Sequence, residues 1–269
     1  MELSEKTLLQ AVNLATLAGQ SILQVYEQPF DVEFKEDKSP LTLADKVSNL
    51  VITSGLKVTD YPNILSEESA VIPYEKRKDW EWLWIVDPLD GTKEFVKRNG
   101  EFTVNIALIH EGLPVFGIIY IPVTGVLYFA IKGQGAFKVT NAATMKPPQH
   151  KEILMQHAEK LPLAQPKRDY TVVASRSHMS PETEAFIEEQ KKKHGTVQTV
   201  SAGSSIKFCL IAEGKADTYP RFAPTMEWDT AAGQIIVEET GKRLLNMETN
   251  KLLTYNRLNL TNPHFLVTT

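Results

Sequence analysis

The sequence predicts a mixed protein whose first half is α+β and whose second half is α/β. Two amphipathic helical patterns open the chain, a series of short apolar runs cut by glycine and proline follows, and strand and helix patterns then alternate.

Leu8, Ala11, Val12, Ala15, Ala18, Ile22 and Val25 recur at three- and four-residue steps, which predicts a helix behind a Ser4 cap. A second helix is expected from Thr42, whose hydroxyl and Asp45 three residues on form a capping-box pattern, with Val47, Leu50 and Val51 as its buried stripe. After Asn63 come β-type runs at residues 64–65, 82–86, 103–109, 115–121 and 126–131. Gly112, Pro114, Pro122, Gly125, Gly133 and Gly135 punctuate the last three, the pattern of an antiparallel meander. Residues 141–169 lose periodicity and carry Pro147, Pro148, Pro162 and Pro166, so a domain boundary or a long excursion is expected here, the boundary lying between an α+β domain at 1–150 and an α/β domain at 151–269. Beyond it a strand is expected at 170–174. A helix follows at 181–194, with Ser180 as cap, Pro181 at its first position and Gly195 as its stop. A strand at 196–200, a helix at 204–214 and a helix from Asp229 to Gly241 complete the pattern.

With 269 residues, the chain can bury one large core or two modest ones, and 42% hydrophobic with 23% charged residues is an ordinary globular composition. A net charge of −4 supplies no basic field for a nucleic-acid polymer or an anionic membrane, whereas a small phosphorylated ligand needs only a few local cations. The single cysteine, Cys209, has no partner for an internal disulfide and is read as core. The first ten residues lack a signal-peptide pattern, and no stretch of about 18 apolar residues occurs, so a cytoplasmic location without a transmembrane segment is expected.

The chemistry is concentrated in Asp87-Pro88-Leu89-Asp90-Gly91-Thr92. The preceding apolar run reads as a strand buried on both faces, and a charge at the exit of such a strand is costly unless paired or coordinated. Pro88 is expected to force a turn that lets Asp87 and Asp90 converge, with the Leu89 carbonyl as a third oxygen. All-oxygen donors suit magnesium, manganese or calcium rather than zinc. Gly91 and Thr92 open what reads as a short helix, whose amides favour a phosphate oxygen; Thr92 alone would be read as a helix cap. Asp-Gly by itself would be a solvated turn, but five fixed residues in six positions arise by chance on the order of 10⁻⁴ per chain.

This run resembles the signature of the inositol monophosphatase superfamily of lithium-sensitive, magnesium-dependent phosphatases. Residues 64–69, Ile-Leu-Ser-Glu-Glu-Ser, resemble the family strand that delivers a metal-binding glutamate, matching Glu67. Residues 228–233, Trp-Asp-Thr-Ala-Ala-Gly, are similar to its second signature, matching Asp229. The resemblance implies a layered αβαβα sandwich binding two or three Mg²⁺ ions, bridged by Asp87 and held by Glu67, the Leu89 carbonyl, Asp90 and Asp229. It also implies that Gly91 and Thr92 hold the phosphate, and that Glu67 and Thr92 orient an attacking water with no covalent phosphoenzyme. Asp45 matches the position near a third, weaker metal, and its capping-box explanation stands beside that one.

Three polar and cationic segments precede the Asp229 helix: Ser175-Arg176-Ser177-His178, Gly203-Ser204-Ser205-Ile206-Lys207-Phe208 and Tyr219-Pro220-Arg221-Phe222. Together they resemble the branch that cleaves 3′(2′),5′-bisphosphate nucleotides. An acid tends to lie where Arg221 sits in the inositol-specific branch, whereas an arginine suits a second phosphate. The implied nucleotide contacts are His178, Gly203, Ser204, Lys207 and Arg221, beside Glu67, Leu89, Asp90, Gly91, Thr92 and Asp229 at the phosphate to be cleaved. The implied reaction is hydrolysis of adenosine 3′,5′-bisphosphate to AMP and phosphate, with its 5′-sulfated relative as a second candidate, which in such relatives clears an inhibitory by-product of sulfate activation. The alternatives are an inositol or sugar phosphatase using the same metals, and a non-catalytic nucleotide-binding regulator. Peripheral membrane association, found in some relatives, stays open as a further partner.

Overall fold

The structure, a computed structural model, describes residues 3–35, 40–69, 72–174 and 180–269. The first helix, α1 (Glu5–Tyr26), starts where expected, with Ser4 Oγ accepting the Thr7 N–H at 3.2 Å. Two short strands, β1 (Glu33–Phe34) and β2 (Pro40–Leu41), pair antiparallel before α2 (Leu43–Leu56). The α2 stripe differs from the expected one: Ala44, Ser48, Ile52 and Leu56 are buried, whereas Leu50 is 66% exposed. Polar contacts turn the helix, because Ser48 Oγ donates to the Pro88 carbonyl at 2.6 Å and brings its own face inward.

The chain continues through β3 (Ile64–Ser66), α3 (Tyr74–Arg77), β4 (Trp82–Asp90), α4 (Thr92–Val96) and β5 (Thr103–His110). Next come β6 (Leu113–Ile121), β7 (Val126–Ile131), β8 (Gly135–Val139), α5 (Lys151–Gln156) and β9 (Ala158–Lys160). All of these strands from β3 to β9 form one seven-stranded sheet in chain order, parallel between β3 and β4 and antiparallel elsewhere. The expected boundary at residue 150 falls between β8 and α5, and β9 beyond it supplies the seventh strand.

The sheet is apolar on both faces. Along β4, Trp84 and Val86 join one core with α1 and α2, while Leu83 and Ile85 join the other, and β5 and β6 alternate in the same way. The rest of the chain runs through β10 (Tyr170–Ala174), α6 (Pro181–His194), β11 (Val197–Ser201), α7 (Ile206–Ala212), β12 (Tyr219–Arg221), α8 (Glu227–Glu238), β13 (Arg243–Asn246) and β14 (Phe265–Thr268), and all of these elements except α6 contribute residues to the second core. Strands β10 and β11 pair in parallel, and β12-β14-β13 form an antiparallel sheet whose edge strand contains Pro220. Helix α8 packs across β4 to β8 and against α7, and α6 packs on β10, β11 and β12. The result is the layered αβαβα order. Among the described residues no helix is long and apolar enough to cross a membrane.

Two glycines make the middle helix layer possible. A Cβ at Gly117 of β6 would lie 2.8 Å from the Ala232 carbonyl oxygen, and one at Gly233 of α8 would lie 2.4 Å from the Phe208 ring. Alanine at 233 gains about 1 kcal/mol of helix propensity, but overpacking costs about 1–3 kcal/mol or more where the neighbour is a ring fixed between others. Phe208 is such a ring, in contact with Tyr219 and Phe265. Gly233→Ala is therefore expected to lower the melting temperature by several degrees, and an unchanged or higher value in a thermal unfolding scan would refute the close-approach explanation.

Candidate active site

The first two acids sit on a bulge. Asp87 pairs with Asn105 and Asp90 with Thr103, so β4 advances three residues for two on β5. Pro88 has no N–H for the ladder, and the Leu89 N–H instead bonds Asp87 Oδ1 at 3.1 Å. The strand therefore does not end at Val86 in a turn, as the sequence predicted; it bends and runs on to Asp90.

Asp87, Asp90 and Asp229 each bring a carboxylate oxygen within 4.8 Å of the others. Asp229 lies in the first turn of α8, where its Oδ2 accepts the Met226 N–H at 2.7 Å. Asp45 repeats the device in α2, its Oδ2 accepting the Thr42 N–H at 2.7 Å, while its Oδ1 accepts Thr92 Oγ1 at 3.0 Å. The capping box is thus formed with one carboxylate oxygen, while the other meets Thr92. Thr92 is not a helix cap: Gly91 holds that position at φ +92°, and the Thr92 hydroxyl faces Asp45 and, at 3.4 Å, the Leu89 carbonyl. Glu67 follows β3 and is held by Lys35 Nζ at 2.9 Å, and the same ammonium also bonds Glu68.

Burial and mutual repulsion dominate the electrostatics. Asp87, 1% exposed, is pushed well above the usual carboxylate range by burial first, then by Glu67, Asp90, Asp229 and Asp45. Asp229 is pushed up to about 8 by burial and Asp90, against the opposing Met226 N–H and Arg221. Glu67 is raised by burial, with Lys35 opposing. Among the described residues Asp87, Asp90 and Asp229 form no ion pair with a basic side chain. Converging carboxylates with a nearby main-chain carbonyl, joined by no sulfur or imidazole among the described residues, fit a hard divalent cation.

A cleft of about 320 Å³ opens beside the cluster, lined by Asp90, Gly91 and Asp229 together with Gly203, Ser204, Lys207 and Arg221. Buried Lys207 donates to the Ala202 and Ser204 carbonyls at 3.1 and 2.6 Å. Its ammonium is depressed to about 8 by burial, partly countered by Asp90. Arg221 donates through Nε to Ala223 O at 3.1 Å and through Nη2 to Pro224 O at 3.3 Å. Neither cation has a carboxylate ion-pair partner among the described residues. His178 lies outside the described residues.

Several residues at the site were not anticipated, among them Glu94 and Glu101, which line the cleft. Lys35, in a polar connection, carries no local signal. Thr103 and Asn105 are 0% and 1% exposed behind Asp90, and their signal is two polar residues on one face of an otherwise apolar strand.

The profile of the inositol monophosphatase family matches residues 4–266. The chain belongs to this family. It is 43% identical over 264 residues to the 3′(2′),5′-bisphosphate nucleotidase CysQ of Salmonella typhimurium, covering 96% of this chain and 98% of that one. The corresponding Escherichia coli K12 protein is also 43% identical, over 262 residues. Among solved structures, CysQ from Bacteroides thetaiotaomicron, a bacterial member of the family, superposes with a TM-score of 0.91 at 48% identity, covering 98% of this chain and 97% of that one. A suhB protein from Bartonella henselae shares the fold, with a TM-score of 0.71 at 23% identity.

Proposed function

We infer that the protein is a metal-dependent 3′(2′),5′-bisphosphate nucleotidase, and that adenosine 3′,5′-bisphosphate is its substrate, cleaved to AMP and phosphate. One observation carries this reading: the cleft that Asp90 and Asp229 line beside buried Asp87 also holds two cations, Lys207 and Arg221, that have no carboxylate ion-pair partner among the described residues. A substrate with two phosphates matches both ends, and near-full-length similarity to CysQ nucleotidases supports the same reaction.

The metal assigned to the cluster is Mg²⁺. When bound, paired divalent ions make a water nucleophilic at neutral pH and neutralise charge on the departing oxygen. Asp87, Asp90, Asp229, Glu67 and the Leu89 carbonyl are the residues that would hold them. The Thr92 hydroxyl, oriented by Asp45, and the Glu67 carboxylate orient the attacking water, and Gly91 helps seat the phosphate being cleaved. Lys207 and Arg221 grip the second phosphate, Arg221 through the N–H groups that its carbonyl partners leave free. Displacement at phosphorus then needs no protein nucleophile. Cys209 is 1% exposed in the core, with burial pushing its thiol up, which suits no catalytic role.

Phosphate release from adenosine 3′,5′-bisphosphate, its 5′-sulfated relative and inositol 1-phosphate, each with and without Mg²⁺, tests the proposal. The bisphosphate is expected to turn over fastest, and only with metal. A clear preference for inositol 1-phosphate would overturn the substrate, and turnover without any divalent ion would overturn the mechanism.

A further inference from the structure

Behind Asp90 lies a set of buried polar groups that the proposed reaction leaves unused. Ser204 Oγ donates to Asp90 Oδ2 at 2.7 Å. Thr103 Oγ1 lies 2.5 Å from Ser204 Oγ and 2.7 Å from Ser205 Oγ. Asn105 Oδ1 is 3.0 Å from Thr103 Oγ1 and 2.7 Å from Ser205 Oγ, and Asn105 Nδ2 faces Asp90 Oδ2 at 3.4 Å. Thr103, Asn105 and Ser205 are at most 2% exposed, so water does not compete for these contacts.

We propose that Ser204 and Thr103 are positioning residues: their linked hydroxyls, backed by Ser205 and Asn105, hold the Asp90 carboxylate in its cation-binding orientation. The proposal rests on the metal-dependent reading of the cluster. Each hydroxyl has one proton, and an ionised carboxylate can only accept. Ser204 therefore donates to Asp90 and must accept from Thr103. The Thr103 proton is then committed, so the Ser205 proton is shared between Thr103 Oγ1 and Asn105 Oδ1, an amide oxygen that can only accept. The Thr103 and Ser204 links both point towards Asp90, and hydrogen bonds aligned in this way strengthen one another in a low-dielectric interior. Asn105, whose amide faces Asp90, closes the set at the other end.

The backbone supplies an independent observation. Ser204 adopts φ +52°, the left-handed region that disfavours a residue with a Cβ. A glycine would relax that strain, so a serine here retains a hydroxyl at a conformational cost. The Ser204 carbonyl meanwhile accepts from Lys207 at 2.6 Å. One residue thus touches the metal side through its side chain and the phosphate-binding side through its main chain.

The test is calorimetric titration of Mn²⁺ into the full-length, nucleotide-free protein, alongside thermal unfolding without metal. Ser204→Gly and Thr103→Val are each expected to weaken Mn²⁺ binding about tenfold, the scale of one charge-assisted hydrogen bond. Thr103→Ser, which keeps the hydroxyl, is expected to stay within about twofold of wild type on the same scale. Ser204→Gly should melt no lower than wild type without metal. Wild-type affinity in Ser204→Gly would overturn the proposal, and so would an affinity loss matched by a large drop in metal-free melting temperature, which marks a general structural role. Should Thr103→Val fail to fold, Ser204→Gly alone decides. A wild-type protein that binds no Mn²⁺ would instead refute the metal assignment, by a separate observation.

Discussion

Replacing Asp87 by Asn is expected to stabilise the metal-free protein and to abolish its phosphatase activity. Asp87 is buried, it is one of the residues that would hold the ions, and its carboxyl is held well above the usual range by burial and by Glu67, Asp90 and Asp229. Asparagine keeps an oxygen for the Leu89 N–H but removes the charge. Bound divalent ions contribute several kcal/mol to such transition states, so their loss costs about 1,000-fold or more in kcat/KM. Stability moves the other way. An acid whose pKa is higher folded than unfolded binds its proton more tightly in the folded state, so stability is greatest at low pH and declines as pH rises. For this cluster the decline starts near the ordinary carboxylate range and reaches to about 8, the value for Asp229. At neutral pH wild type already carries that penalty and the variant lacks the largest part of it. Thermal scans without metal should show a higher melting temperature for Asp87→Asn, on the order of 2–4 °C for each kcal/mol relieved, and a flatter dependence between about pH 4 and 8. Mg²⁺ should raise the wild-type value and leave the variant nearly unmoved. A variant that melts lower than wild type without metal would show that the carboxylate is not strained there.

The features legible in the sequence are those encoded by near neighbours. Helix α1 behind Ser4 and helix α6 between Ser180 and Gly195 were readable because caps and three- and four-residue steps are local. The convergence of Asp87 and Asp90 was readable in the same sense, since they lie three residues apart, whereas Asp229 joins them from the far side of the chain. What was misread depends on distant partners. Leu50 has the chemistry of a core residue, but Ser48 turns inward to reach the Pro88 carbonyl forty positions away. Pro88 looked like a turn because the partner strand that accommodates a bulge is not visible in its own segment. Strands β13 and β14 escaped notice because β14 is recognised as a strand by pairing with both β12 and β13. Lys35 could not be singled out, since only the folded chain brings it to Glu67 and Glu68.

Arg221→Glu is expected to change selectivity more than any other single substitution. Strand β12 is pinned to β14 opposite Phe265, and the Ala223 and Pro224 carbonyls orient the guanidinium, so the side chain is preorganised. A glutamate there removes the donors for the second phosphate. It also adds a negative charge where Asp90 and Asp229 already repel one, and gives neighbouring Lys207 an acidic partner, so both cations are lost to the substrate at once. Breaking a desolvated charge pair costs about 2–5 kcal/mol, which puts the loss in kcat/KM for adenosine 3′,5′-bisphosphate at about 30-fold or more. A monoester with no second phosphate, such as p-nitrophenyl phosphate, makes no use of Arg221 and should change by less than about threefold on the same scale. Arg221→Lys, which keeps the charge but not the planar fork, should fall between wild type and Arg221→Glu on the bisphosphate alone. Parallel Mg²⁺ titrations separate this effect from a disturbed metal cluster, because selectivity should shift at saturating metal. Equal losses on both substrates would remove Arg221 from recognition and leave the second phosphate to Lys207.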